Sequence, residues 1–299
     1  MVWLVLAIGA YFLNSITAVI DKFLLKKSVS SSIAYTFYVG LLSIFAVILI
    51  PFGVVFLSGQ EILKDILAGM VFLLAILFFL KSVKKNEVSI AVTVIGGFTP
   101  IFVLILSFIF LGETLSQKQI LAFILLVLGG ILMSLKKSGG QARKFSPVGI
   151  ELSILAAFVF SVYYVMAKSI FSGQPFLSAF FWSRMGSFLL ALTFLSIPIW
   201  RKIIFETKNT AGRKGGALFV FNKILGASAF ILLNYSIKLG SVTLINAIQG
   251  IQYLFLFILV VLLSKKFPKV LEEKLTIAVI FQKVGAIIII GLGLILIYF

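Results

Sequence analysis

Two residue types are missing from this chain altogether: it has no cysteine and no histidine. Without cysteine there are no disulfides, no thiolate nucleophile and no sulfur ligands for a metal. Without histidine, the commonest metal ligand and the usual general base near neutral pH are gone. Charge is scarce too. Only 12% of the 299 residues are charged, and nine are acidic. The ordinary tools of an enzyme are absent, so neither catalysis nor a metal or other cofactor is expected. No Gly-x-x-x-x-Gly-Lys-Ser/Thr run is present, which excludes the usual nucleotide-hydrolysis motif. The chain enters apolar sequence at Met1-Val2-Trp3 with no basic segment before it, so no cleavable signal peptide is expected.

What is present is hydrocarbon. The chain is 62% hydrophobic with a mean hydropathy of +1.22, against about 45–50% apolar residues in soluble domains. About 20 apolar residues cross a bilayer as a helix. Ten such spans can be drawn, at roughly 3–24, 33–57, 62–81, 88–111, 119–136, 148–170, 176–200, 215–237, 242–263 and 277–298. This predicts an all-α integral membrane protein with its lipid bilayer as a partner and no soluble domain. One stretch organises the rest: a span from Val88 to Leu111 carrying Gly96-Gly97 and Thr99-Pro100, a hinge at Gly112–Gln117, and a span holding Gly129-Gly130. The Gly and Pro residues predict a bend or a close helix approach in the first of these spans, which membrane helices tolerate.

The net charge of +17 would suggest nucleic acid in a soluble protein. Here the basic residues sit between spans and report topology instead, so no nucleic-acid partner is expected. The odd-numbered connections hold nineteen Lys and Arg, the even-numbered ones four: Lys64, Lys118, Lys168 and Lys238. The positive-inside rule puts the odd connections in the cytoplasm and both termini outside, in a multi-pass protein of the cell inner (plasma) membrane. The same count predicts an internal repeat. Five spans per half is an odd number, so a second copy inserts upside down and the basic connections change parity between halves, as observed. The expected organisation is two inverted five-helix repeats, 1–137 and 148–299, joined by a linker at 138–147.

Phe110-Leu-Gly-Glu-Thr-Leu115 leading into Leu128-Gly-Gly-Ile-Leu132 closes the first five spans. With the two-by-five layout, this resembles the EamA branch of the drug/metabolite transporter superfamily. The resemblance implies a ten-helix carrier of small organic solutes, often an exporter. The second half carries Lys265-Lys266 where the first has Gly112-Glu113. Small multidrug-resistance relatives in that superfamily use a mid-helix Glu for proton-coupled export of cations. Asn14 occupies a comparable place here and cannot release a proton, which disfavours that mechanism. Glu113 itself reads either as a gate element or as a carboxylate placed at a helix amino end by the dipole.

Ionisable groups inside spans are functional candidates, because each costs roughly 2.5–3.5 kcal/mol at a helix centre on translocon scales. Arg184 is the deepest, with Lys223 and Lys283 nearer span ends. A buried guanidinium binds planar anions through two parallel hydrogen bonds, or else snorkels or bonds backbone carbonyls. Asn246, Gln249 and Tyr253 fall on one side of the ninth span with Gln252. They either line a pocket or glue helices together. Tyr38, Tyr163 and Trp182 are the aromatics deep enough to complete a lining. The expected substrate-binding set is therefore Arg184, Gln249, Tyr253, Asn14, Asn246, Tyr38, Tyr163 and Trp182. The expected function is secondary transport, as an exporter, of amino acids or related zwitterionic or anionic solutes by alternating access, in a monomer or homodimer. A lipid-carrier flippase and a broad drug-efflux carrier are the alternatives.

Overall fold

The computed structural model describes residues 1–25, 31–86, 88–135, 146–206, 213–264 and 277–298. All regular structure among them is helical: α1 Val2–Leu25, α2 Ser32–Leu42 running into a 3-10 stretch Ser43–Phe52, α3 Gly59–Lys85, α4 Val88–Leu111, α5 Gln117–Ser134, α6 Pro147–Gly173, α7 Phe176–Thr193, the short α8 Pro198–Glu206, α9 Arg213–Leu239, α10 Val242–Ala247, α11 Gly250–Ser264 and α12 Ile277–Tyr298. Ten segments are long and apolar enough to cross a membrane, with α10 and α11 making one of them. The linker expected at 138–147 falls almost wholly outside the described residues, as do many of the basic connecting residues.

Serines set where helices begin. The Ser58 side chain accepts from the Glu61 N–H while Glu61 caps back onto Ser58, and Ser116 does the same with Gln119. These reciprocal boxes satisfy donors that a helix start leaves open. Ser31, Ser146 and Ser241 cap α2, α6 and α10. The α4–α5 turn needs its glycine: Gly112 has φ +63°, a left-handed conformation that costs an L-residue roughly 1–2 kcal/mol.

Two spans differ from expectation. The seventh helix stops short of residue 200: a 3-10 turn Phe194–Ser196 and Ile197 intervene, and Pro198 opens α8. Proline at a first helical position suits a new start rather than a continuation. α8 is held by Ile204, 1% exposed, beside Ala34, Phe37, Leu73, Leu77, Ala191 and Phe194. The second difference is a break that was not expected. α4 is helical through Pro100, and the hydrogen-bond ladder breaks in the ninth span, at Ile248-Gln249.

The helices form two compact units that interleave along the chain. One unit contains α1, α5 and α9–α12. Within it, α1 packs on α9 and α11, and α5 packs on α12, α10 and α11. The other contains α2–α4 and α6–α8, where α6 packs on α3 and α4, and α7 packs on α3 and α2. Glycines permit the tightest of these contacts. A Cβ on Gly69 would lie 1.7 Å from the Ser183 carbonyl oxygen, and one on Gly186 2.0 Å from that of Ile66. The bare backbones of α3 and α7 therefore meet, and the Ser187 hydroxyl donates to the Gly69 carbonyl at 2.7 Å.

Candidate functional site

In the second unit, Arg184 is 9% exposed although it sits within the span. Its guanidinium carbon lies 4.6 Å from the Phe72 ring centre and 5.6 Å from that of Phe180. Tyr163, 1% exposed, packs on the same Phe72 at 4.9 Å between ring centres. Three helices thus converge: α3 supplies Phe72, α6 Tyr163, and α7 both Phe180 and Arg184. Aromatic faces attract a cation most where water is excluded. A guanidinium meets rings through its face and hydrogen-bonds through its planar edge. Trp182 faces Phe181 at 5.1 Å and Phe56 at 6.3 Å. Its indole nitrogen is buried with no acceptor among the described residues. Tyr38 has no ring contact with the Arg184 cluster; it is 39% exposed and packs edge-on to Phe37.

In the first unit, Asn246, Gln249 and Tyr253 flank the interrupted ninth span. At the break, Gln249 N–H bonds the Asn246 carbonyl, Ile251 N–H that of Ile248, and Gln252 N–H that of Gln249. These are one-residue-shorter links of 3-10 type, poorer than the α-helical ladder. The Ile245 carbonyl, which Gln249 would have taken in an unbroken helix, accepts instead from the Tyr11 hydroxyl at 2.9 Å. A glycine contact pins the other side: a Cβ on Gly250 would stand 2.6 Å from Gly130 Cα. Non-helical backbone at membrane depth persists only when buried in protein or lining water. Gln249 and Tyr253 are half-buried, as is Asn14 on α1. Asn246 is 2% exposed and donates to the Val242 carbonyl of its own helix. Asn234 likewise donates to the Phe230 carbonyl of its own helix, a local side-chain-to-backbone bond.

Two residues singled out in the sequence have structural work. Lys283 donates to the Met133 and Leu135 carbonyls, and its neighbour Gln282 to those of Leu132 and Leu135. Together they cap the carboxyl end of α5, where carbonyls lack intrahelical partners and a cation is favoured. Glu113 accepts from the Thr243 hydroxyl at 3.3 Å in the first turn of α10. The carboxylate therefore sits at a helix amino end, on the ninth span rather than its own.

Sequence reasoning missed Asp65 and Tyr11. Asp65 lies near the start of the third span, and its side chain is 0% exposed. The signal was available: Ser58-x-x-Glu61 marks the helix start, so Asp65 already lies in the second turn. Nothing in the sequence distinguishes the Tyr11 hydroxyl from the other aromatics.

Buried polar groups thus sit on helices long and apolar enough to cross a membrane. Residues 1–135 match the EamA-like transporter family. A relative in Bacillus subtilis (strain 168), "Uncharacterized transporter YxxF", is 25% identical over 133 residues, 44% of this chain. The match spans about two-fifths (42%) of the length of that curated relative. A crystal structure of a protein superposes with a TM-score of 0.69 over 98% of this chain and 96% of the other. At 18% identity that likeness shows the fold alone. Ten helices able to cross a membrane agree with that family's description as transporters.

Proposed function

We propose that the protein is a secondary carrier of the plasma membrane, exporting small zwitterionic or anionic metabolites such as amino acids, with no catalytic step. The observation that carries this reading is Arg184, a guanidinium buried in a membrane span among aromatic faces. Such a group is costly in lipid and suited to a carboxylate or phosphate. Gln249 and Tyr253, beside the broken span of the other unit, are read as residues that hydrogen-bond solute there. Both termini lie outside, and the solute is exposed alternately to each side.

The two inverted repeats, 1–137 and 148–299, belong to this proposal. Helix pairing supports them. The sixth span packs on the third and fourth within one unit, and the first packs on the eighth and ninth within the other. Shifting every span number by five turns one set of pairs into the other.

The test is flux of radiolabelled amino acids in proteoliposomes. Arg184→Ala should abolish transport with a folded, monodisperse protein, and Arg184→Lys should not restore it, because an ammonium lacks the fork. Undiminished transport in Arg184→Ala removes the assignment.

A further inference from the structure

A chain without histidine that moves protons must do so mainly through carboxyl groups, and this one has nine acidic residues. Among the residues whose side chains are described, only Asp65 has its carboxyl fully enclosed. It lies in the second turn of α3, within a span. No Lys or Arg among the described residues is within ion-pair distance of it.

The partner of Asp65 is neutral. Gln174 ends α6 at the tight turn before Pro175 and α7. One terminal atom of its amide lies 3.2 and 3.0 Å from the two carboxylate oxygens, and as nitrogen it donates to both. An amide at that place serves either state of the acid. With nitrogen inward it donates to a carboxylate; turned over, its oxygen accepts from a carboxylic acid O–H. A fixed cation would hold Asp65 ionised, whereas an amide that can turn does not. Gln174 is half-buried, so it stands between the enclosed acid and the protein surface.

Charged and titratable groups surround Asp65 without ion-pairing to it. On α3, Glu61 is engaged by the Ser58 N–H and hydroxyl at 2.9 and 2.6 Å, and Lys64 is exposed. On α7, Arg184 is held over Phe72 and Phe180. α6 contributes Lys168, Tyr163 and Tyr164, and α2 contributes Tyr35 and Tyr38. Ser178, also 0% exposed, has its oxygen occupied by the Val55 N–H at 2.9 Å.

We infer that Asp65 is the proton-coupling site of the carrier, with Gln174 as the amide that follows its protonation state. In each cycle one carboxyl O–H bond forms with a proton taken from water on one side of the membrane. It breaks by releasing that proton to water on the other, while solute moves the opposite way. The inference rests on the carrier reading above.

The test uses the full chain in proteoliposomes with a mixture of radiolabelled amino acids, and Asp65→Asn, which keeps a polar partner for Gln174 but cannot ionise. A one-unit pH gradient sustains at most about tenfold accumulation for one coupled proton. Wild type should accumulate solute on that gradient. Asp65→Asn should lose accumulation yet keep exchange of labelled for unlabelled solute. Accumulation by Asp65→Asn equal to wild type overturns the inference. If wild type moves none of these solutes, or the variant loses exchange as well, infrared spectra of both proteins in lipid nanodiscs across a pH titration decide. A titrating carboxylic-acid carbonyl band present in wild type and missing from Asp65→Asn supports the proton site, and its absence from wild type overturns it. Flux failing in wild type beside a positive infrared result counts against the carrier reading for amino acids, not against Asp65.

Discussion

Single side chains do separable work in this protein, and their substitutions should separate too. Gly112 is needed for its backbone, since nothing lies within 4 Å of where its Cβ would stand. Gly112→Ala should therefore lower stability by roughly 1–2 kcal/mol from φ strain alone, with Gly112→Asn milder because Asn tolerates that conformation. A thermal melt in detergent checks both. Lys283 caps the carboxyl end of α5. Lys283→Met should cost about 1–3 kcal/mol, the usual price of buried acceptors left unmet, while solute transport per folded molecule stays unchanged. The depth of Arg184 could be read from the sequence, because charge inside a span stands out. Its aromatic seat could not: the chain has 32 phenylalanines, and no local pattern marks Phe72 and Phe180 as its neighbours.

Helices and their junctions carry the next level. The α3–α7 contact is backbone on backbone, so Gly69→Ala or Gly186→Ala must push the helices apart. Either should destabilise by about 1–3 kcal/mol, the range for overpacking. Gly9→Ala and Gly285→Ala meet nothing within 4 Å and should be neutral or slightly stabilising in the same melt. The ninth span shows why element breaks are hard to foresee. Pro100 draws attention, yet proline removes one hydrogen bond and α4 continues past it. The real interruption is made by tertiary partners, the Tyr11 hydroxyl on the Ile245 carbonyl and Gly130 against Gly250. Tyr11→Phe should leave that carbonyl unmet and raise amide hydrogen exchange in residues 245–252 specifically. Helix starts, by contrast, were legible, since Ser58-x-x-Glu61 and Ser116-x-x-Gln119 are local signals that the structure uses as written.

For the molecule as a whole, span number and class followed from composition, because water and hydrocarbon sort a sequence this apolar. The two compact units did not follow, since they take helices from both halves of the chain, and covalent order says little about which helices exchange places. The central proposal is that Gln249, Tyr253 and Asn14, at the broken ninth span and on α1, meet water on a path for solute. The absence of native cysteine makes one measurement direct: single cysteines placed in the full chain, in membranes, and probed with a membrane-impermeant thiol reagent. Gln249→Cys, Tyr253→Cys and Asn14→Cys should be labelled, whereas Phe108→Cys and Ile288→Cys, on outward apolar faces, should not. Labelling of the apolar-face positions alone, with Gln249, Tyr253 and Asn14 inert, would contradict the account.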